Sequence, residues 1–204
     1  ETNMKRITAL VAALVLVGAG CSGGELTTTE IEFTYPDEES VTEETTEPTW
    51  EFPGELTAGE IENKQIRIQT DKGDIVFELY ADTAPLTVSN FVYLTTRGYY
   101  NGLTFHRREE GFVIQGGDPV GNGTGGPGYK FEDELDDQYT YERGIVAMAN
   151  SGSNTNGSQF FIMLADSGLP KSYSIFGRVL EGMEIVDGIA VGDAMSTVTV
   201  ENKE

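Results

Sequence analysis

The chain has 204 residues, 34 acidic and 13 basic, for a net charge of −21, an imbalance that repels nucleic acid and anionic headgroups and excludes both as charge-bound partners. Hydrophobic residues at 38% and aromatic ones at 10% suffice to bury a core. Eleven acids and no base lie between Ser22 and Gly59, whereas Glu60 to Glu204 carries 22 acids and 11 bases, so a charged linker precedes a moderately acidic domain.

Met4-Lys5-Arg6 is a short basic region, and Ile7 to Ala19 is an apolar run too short to span a bilayer, the pattern of an export leader that starts at Met4. The run ends at Cys21, the sole cysteine, after the small residues Gly18, Ala19 and Gly20. These residues resemble the lipobox of bacterial lipoproteins, with the departure that Gly18 stands where leucine is usual; an ordinary secretory leader with a chance cysteine is the alternative. The resemblance implies a leader of residues 1–20 and an acylated Cys21 at the new N-terminus, hence an extracytoplasmic protein anchored to the cell membrane. Two or three acyl chains on one residue anchor stably. A lone thiol in an exported protein otherwise has no disulfide partner. Residues 21–59, rich in Thr, Glu and Pro, cannot bury enough surface to offset their ordering entropy and are expected to form an extended, self-repelling, disordered tether. Trp50, between Pro48 and Pro53, reads first as an idle linker aromatic and second as a residue that docks on the domain.

The domain, residues 60–204, opens with IRIQT and DIVFELY, which alternate apolar and polar residues around Asp71-Lys72-Gly73 and read as two strands joined by a tight turn. Ala84, Val88, Phe91 and Val92 then fall at i, i+4, i+7 and i+8, with Pro85 in front and Gly98 behind, which predicts an amphipathic helix. Further short apolar runs follow (LTFHR, FVIQG, GIVAMAN, SQFFIML, YSIFGRV, TVTVE), separated by glycine-rich turns, and GMEIVDGIA suggests a second, short helix. The predicted fold is mainly β: a closed eight-stranded antiparallel barrel capped by two helices, closure removing the exposed strand edges. No internal repeat and no second core is visible.

Chemistry-bearing residues are few. His106 is the only imidazole, Cys21 is assigned to lipid, and no serine lies in a G-x-S-x-G elbow, so a nucleophile would have to be built on His106 alone. Arg107 and Arg108 beside it would depress its basicity, and a structural histidine within a strand is the plainer reading. EDELDD (Glu132 to Asp137) lacks the spacing of a calcium loop and reads as a solvated acidic turn, so no metal and no cofactor are expected. Gly121-x-Gly123-x-x-Gly126 matches the dinucleotide fingerprint literally. Pro127 and Gly128 stand where its helix should begin, however, and no βαβ unit surrounds it, so a tightly turning loop explains the glycines. What remains is a cation beside an apolar surface.

GLTFHRREEGFVIQGGD (102–118) and MANSGSNTNGSQFFI (148–162) supply the strongest signal. They meet the signatures F-H-R-x(4)-G-F-x-x-Q-G-G-D and M-A-N-x-x-x-N-T-N-G-S-Q-F-F-I. With NFVYLTTRGYYNGLTFHR before them and FGRVLEGMEIVD after them, the stretch from Lys64 to Asn202 resembles the cyclophilin-type peptidyl-prolyl cis-trans isomerases. The resemblance implies rotation about X-Pro bonds with Arg107 as the catalytic electrostatic donor. Phe112, Val113, Phe161 and Leu169 would line the proline pocket, with Phe161 as its floor. Gln115 would bond Arg107 or the substrate carbonyl, the Asn150 backbone would pair with the peptide, and Ser151 and Gln159 would border the groove. His106 becomes a structural partner, and Arg108 is expected to face solvent among Glu109 and Glu110. SGLPKSYSIFG (167–177) departs from the best-known members: a tryptophan is missing and Tyr173 takes the place of the pocket-side histidine, which implies weak cyclosporin binding with the isomerase parts retained. The implied partners are proline-containing segments of unfolded or partly folded exported proteins, bound by a monomer. A non-catalytic module that retains such segments is the competing function; Arg107 argues for the enzyme, because binding alone does not require it.

Overall fold

A computed structural model describes residues 49–203 except Asp137; the expected leader, the lipidated Cys21 and the tether as far as Pro48 lie outside the described residues. In chain order the elements are α1 (Ala58–Ile61), β1 (Lys64–Thr70), β2 (Gly73–Leu79), α2 (Pro85–Thr96), β3 (Arg107–Glu109), β4 (Val113–Gly116), β5 (Ile145–Met148), β6 (Phe160–Met163), β7 (Ile175–Glu181), α3 (Met183–Gly188) and β8 (Thr197–Asn202). Eight strands are present, as expected, although β3 shares only Arg107 with the run LTFHR, and a one-turn helix, α1, was not expected.

The strands form one antiparallel sheet in the order β3-β4-β6-β5-β7-β2-β1-β8. It is a curled half-barrel and not the closed barrel expected, because β3 and β8 are its two edges and do not pair with each other. The segments that precede these strands do meet: Phe105 N–H donates to Asp193 O and Met195 N–H to Leu103 O, with a bridge at Thr104 and Ala194. Arg108 on the edge strand β3 is instead tied to the residue that follows α3, donating from Nη1 to Ile189 O at 2.8 Å. Register shifts at Val76/Phe77 and Val146/Ala147 curl the sheet, as bulges do. Where β7 crosses β2, a Cβ on Gly177 would lie 2.3 Å from Glu78 O, so only glycine allows the strands to approach there.

Alternation along β4 to β7 sends side chains to two faces. Ile114, Val146, Met148, Phe160, Ile162 and Phe176 enter the main core with Phe77, Phe91 and Tyr100. Val113, Ala147, Phe161, Met163 and Ile175 form a second cluster with Tyr80 and Tyr141 on the opposite face. A sequence without a second core was expected; the continuous apolar runs of β5 and β6 are instead strands buried on both faces.

Two other expectations change. Trp50 is not idle: it packs edge-on against Tyr99 and Tyr93, with ring centroids 5.1 and 6.4 Å apart, and Phe52 stacks on Phe131 at 5.0 Å. Packing against the domain therefore begins ten residues before Glu60, where the tether was expected to end. The acidic turn is also more than a solvated loop. Glu134 reaches the start of α2, where its carboxylate accepts from Leu86 N at 2.9 Å, Thr87 N at 2.7 Å and Thr87 Oγ1 at 2.7 Å. Ala84 offers no side-chain cap of its own, so this distant carboxylate satisfies amides that the helix leaves unpaired. Glu134→Ala is expected to cost about 1–2 kcal/mol, with Glu134→Gln in between, measured as the shift in denaturant midpoint.

Candidate active site

The site is laid across three strands. On β3, Arg107 is in register with Gln115 on β4, and Gln115 is in register with Phe161 on β6. Residues in one such row project from the same face, so a cation, an amide and an aromatic ring stand in line above the second cluster. Arg107 Nη1 donates to Gln115 Oε1 at 3.0 Å, and Nη2 pairs with Glu109 Oε1 at 2.6 Å. Gln115 Nε2 donates to Gln159 Oε1 at 2.9 Å, and Gln159 Nε2 donates to Gly125 O at 2.8 Å. The guanidinium is thus held at one end of a side-chain relay and keeps 41% of its side-chain surface open.

Beside it lies a hollow of about 210 Å³ lined by Arg107, Phe112, Val113, Gln115, Ala149, Asn150, Phe161, Leu169 and Tyr173. Phe161, 5% exposed, packs edge-on against Tyr173 with centroids 5.5 Å apart. Asn150 Nδ2 donates to Ser172 O at 2.7 Å and ties its own loop to the one carrying Tyr173. Gln115, Ala149 and Asn150 also border a larger chamber of about 660 Å³, where Ser151 and Gln159 lie together with Tyr129 and the glycine loop from Gly123 to Gly128. All ten residues singled out from the sequence therefore converge on one two-chambered groove. Ala149, Tyr129 and the glycine loop are groove residues that the sequence analysis missed; the loop's density of glycines, which lets backbone approach a ligand, was the available signal.

The loop is organised by Asp118, whose side chain is 1% exposed and accepts from Val120 N at 2.8 Å, Asn122 N at 3.0 Å and Gly123 N at 2.5 Å. Burial alone would push its carboxyl up, but the amides of Val120, Gly123, Gly125 and Asn122 outweigh that and hold it below the usual range. A Cβ on Gly125 would fall 2.1 Å from Asp118 Oδ1, so the loop can close on the carboxylate only with glycine there.

The neighbours of Arg107 do not share its pocket. Burial holds the imidazole of His106 below its ordinary pKa; Asp118 opposes this and Arg107 reinforces it. Both ring nitrogens are buried without a hydrogen-bond partner, so His106 is a neutral packing group at pH 7. Arg108 corrects the expectation of a solvent-facing residue among Glu109 and Glu110: its side chain is 20% exposed, it pairs with Glu110 alone of the two, and it bonds the carbonyl of Ile189. Among the described residues no group of three or more His, Cys, Asp or Glu side chains is placed to hold a metal ion.

The sequence and the antiparallel half-barrel are similar to known proteins of one family. The model of the cyclophilin-type peptidyl-prolyl cis-trans isomerases matches residues 65–203. Peptidyl-prolyl cis-trans isomerase B of Bacillus subtilis is 47% identical over 133 residues, 64% of this chain and 93% of that protein. Peptidyl-prolyl cis-trans isomerase-like 3 of Gallus gallus is 46% identical over 127 residues, 60% of this chain and 79% of that protein. A crystal structure of a Cryptosporidium parvum cyclophilin-type isomerase superposes with a TM-score of 0.64 at 36% identity, covering 68% of this chain and 97% of that one; the same protein has been solved in the presence of the dipeptide Ala-Pro. The chain belongs to the cyclophilin-type peptidyl-prolyl cis-trans isomerase family, and its activity is the isomerisation of X-Pro peptide bonds.

The depressed pKa of Asp118 fixes a sign. Because the folded group ionises more readily than the unfolded one, near pH 3.9 for a free aspartate, its stabilisation is complete above that value and fades as pH falls through the folded value. Asp118→Asn is expected to be less stable than the parent by about 2 kcal/mol or more at pH 7, the gap narrowing below about pH 4, as read from urea midpoints across the acid range.

Proposed function

We propose that the chain is a membrane-tethered isomerase of exported proteins in which Arg107 stabilises the twisted amide without any covalent intermediate. An X-Pro bond resists rotation because resonance gives its C–N bond partial double-bond character, with a barrier of about 18–20 kcal/mol. At the top of that barrier the prolyl nitrogen is pyramidal and regains a lone pair. A cation directed at that nitrogen binds the twisted state better than the planar one, which is what lowers the barrier. The observation that carries this reading is the placing of Arg107: its Nη1 is fixed by Gln115, while its open side adjoins the hollow floored by Phe161. An arginine remains charged at any working pH and offers a rigid fork of donors, so lysine is a poor replacement.

A 10⁵-fold acceleration requires about 7 kcal/mol, whereas one preorganised donor contributes about 2.7–4 kcal/mol. The rest is assigned to the apolar hollow, which suits a twisted amide less polar than the planar one, and to the groove on both sides, where the Asn150 backbone, Ser151 and Gln159 hold the flanking chain. The substrates we assign are proline-containing segments of unfolded or partly folded exported proteins. Acylated Cys21 would attach the monomer to the cell membrane, with the acidic stretch after it as spacer; the residues Gly18 to Cys21 support that part.

Arg107→Ala is expected to lower kcat/KM for X-Pro isomerisation on the order of 10²-fold or more, and Arg107→Lys to restore little of it, in a protease-coupled or NMR-exchange assay. A variant as active as the parent would remove Arg107 from the mechanism. For the anchor, Cys21→Ser is expected to move the protein from the membrane to the soluble fraction of its host and to abolish incorporation of labelled fatty acid; unchanged fractionation would overturn the lipidation.

A further inference from the structure

In the segment from Trp50 to Thr57, both aromatic side chains rest on residues that are hydrogen-bonded to the wall of the larger chamber. Trp50 packs edge-on against Tyr99, whose hydroxyl lies 2.9 Å from Ser158 Oγ, and Ser158 lines the chamber. Phe52 packs on Tyr129 at 5.7 Å and stacks on Phe131 at 5.0 Å. Tyr129 itself lines the chamber, and its hydroxyl donates to Asn90 Oδ1 at 2.7 Å. Asn90 Nδ2 in turn donates to Gly157 O at 2.8 Å, a further wall residue. Two separate routes thus run from the segment, through a tyrosine hydroxyl each, to adjacent residues of the same wall. The segment is fixed at its far end as well: Leu56 N–H donates to Ser89 Oγ at 2.9 Å, and Thr57 forms a capping box with Glu60 at the start of α1.

We propose that this strap is a positioning element for substrate: Trp50 and Phe52 hold the wall of the larger chamber and so set the affinity for peptides long enough to reach it. Packing of this kind acts on the chamber and leaves the arginine relay, which runs through Gln115 and Gln159, in place. The two chambers share Gln115, Ala149 and Asn150, so a dipeptide is assigned to the hollow beside Arg107 alone and a hexapeptide to both. The strap should therefore distinguish the two lengths, an inference that rests on the assignment of the hollow as the proline site.

The test uses the full chain, the double variant Trp50→Ala/Phe52→Ala and the conservative Trp50→Phe/Phe52→Tyr. Steady-state constants are measured with an X-Pro hexapeptide, and dissociation constants by NMR titration with that hexapeptide and with Ala-Pro. In the alanine variant we expect KM and the hexapeptide dissociation constant to rise roughly three- to tenfold, with kcat and Ala-Pro affinity unchanged, and near-complete recovery in the conservative variant. Unchanged hexapeptide affinity would overturn the proposal. So would a fall in kcat with KM constant, the signature of a smaller folded fraction, or equal weakening of both peptides. Affinity is read apart from turnover, so a parent protein that binds both peptides yet fails to isomerise them would count against the role of Arg107 and leave the strap's effect measurable.

Discussion

Everything at the site depends on the registration of β4 between β3 and β6. Arg107 faces Gln115, Gln115 faces Phe161, and two residues along the same face Val113 faces Met163. A slip of one residue at either seam would turn the arginine or the ring to the opposite face, because side chains alternate with a period of two. The core prevents such a slip. Ile114 and Ile162, directly opposite one another and fully buried, lock the other face of the same two strands. The row of Arg107, Gln115 and Phe161 is therefore held by core packing, with one face of β4 and β6 in the main core and the other toward the second cluster.

That arrangement explains how a strongly acidic protein keeps an effective cation. Glu109 pairs with Arg107, but both side chains are about half exposed, and exposed pairs of this kind contribute about 0–1 kcal/mol. The ion pair orients the guanidinium without cancelling it. Gln115 is the firmer constraint, since its own amide is held by Gln159 and its oxygen is thereby turned toward Arg107. The hollow on the other side is lined largely by apolar and aromatic side chains, Phe112, Val113, Phe161, Leu169 and Tyr173.

What the sequence made legible follows from how local each signal is. Strands, α2 and the site residues were readable because alternation, i/i+4 spacing and two long motifs are properties of neighbouring residues. The half-barrel was not, because closure depends on whether β3 and β8, the first and last strands of the sheet order and far apart along the chain, meet, and no local pattern records that. Arg108 looked like a surface residue because Glu109 and Glu110 follow it in the sequence. Glu134 was hidden because its partners Leu86 and Thr87 lie 48 and 47 residues earlier. Trp50 was misjudged because low aliphatic content describes the average of residues 21–59, while two aromatic rings with matching partners suffice to pin their own end of it.

The glycine loop shows why a literal motif match can point the wrong way. In a dinucleotide site, closely spaced glycines free backbone amides to receive a pyrophosphate at a helix N-terminus. Here Gly121, Gly123 and Gly125 free the same kind of amides, but the anion they receive is internal: the Asp118 carboxylate takes the N–H groups of Val120, Asn122 and Gly123. The donors are consumed in shaping the loop, and no helix follows them. The shared spacing reflects a shared need, backbone amides converging on a negative charge. What separates the two uses is whether that charge arrives with a ligand or is carried by the chain, and a buried aspartate just ahead of the glycines marks the second case.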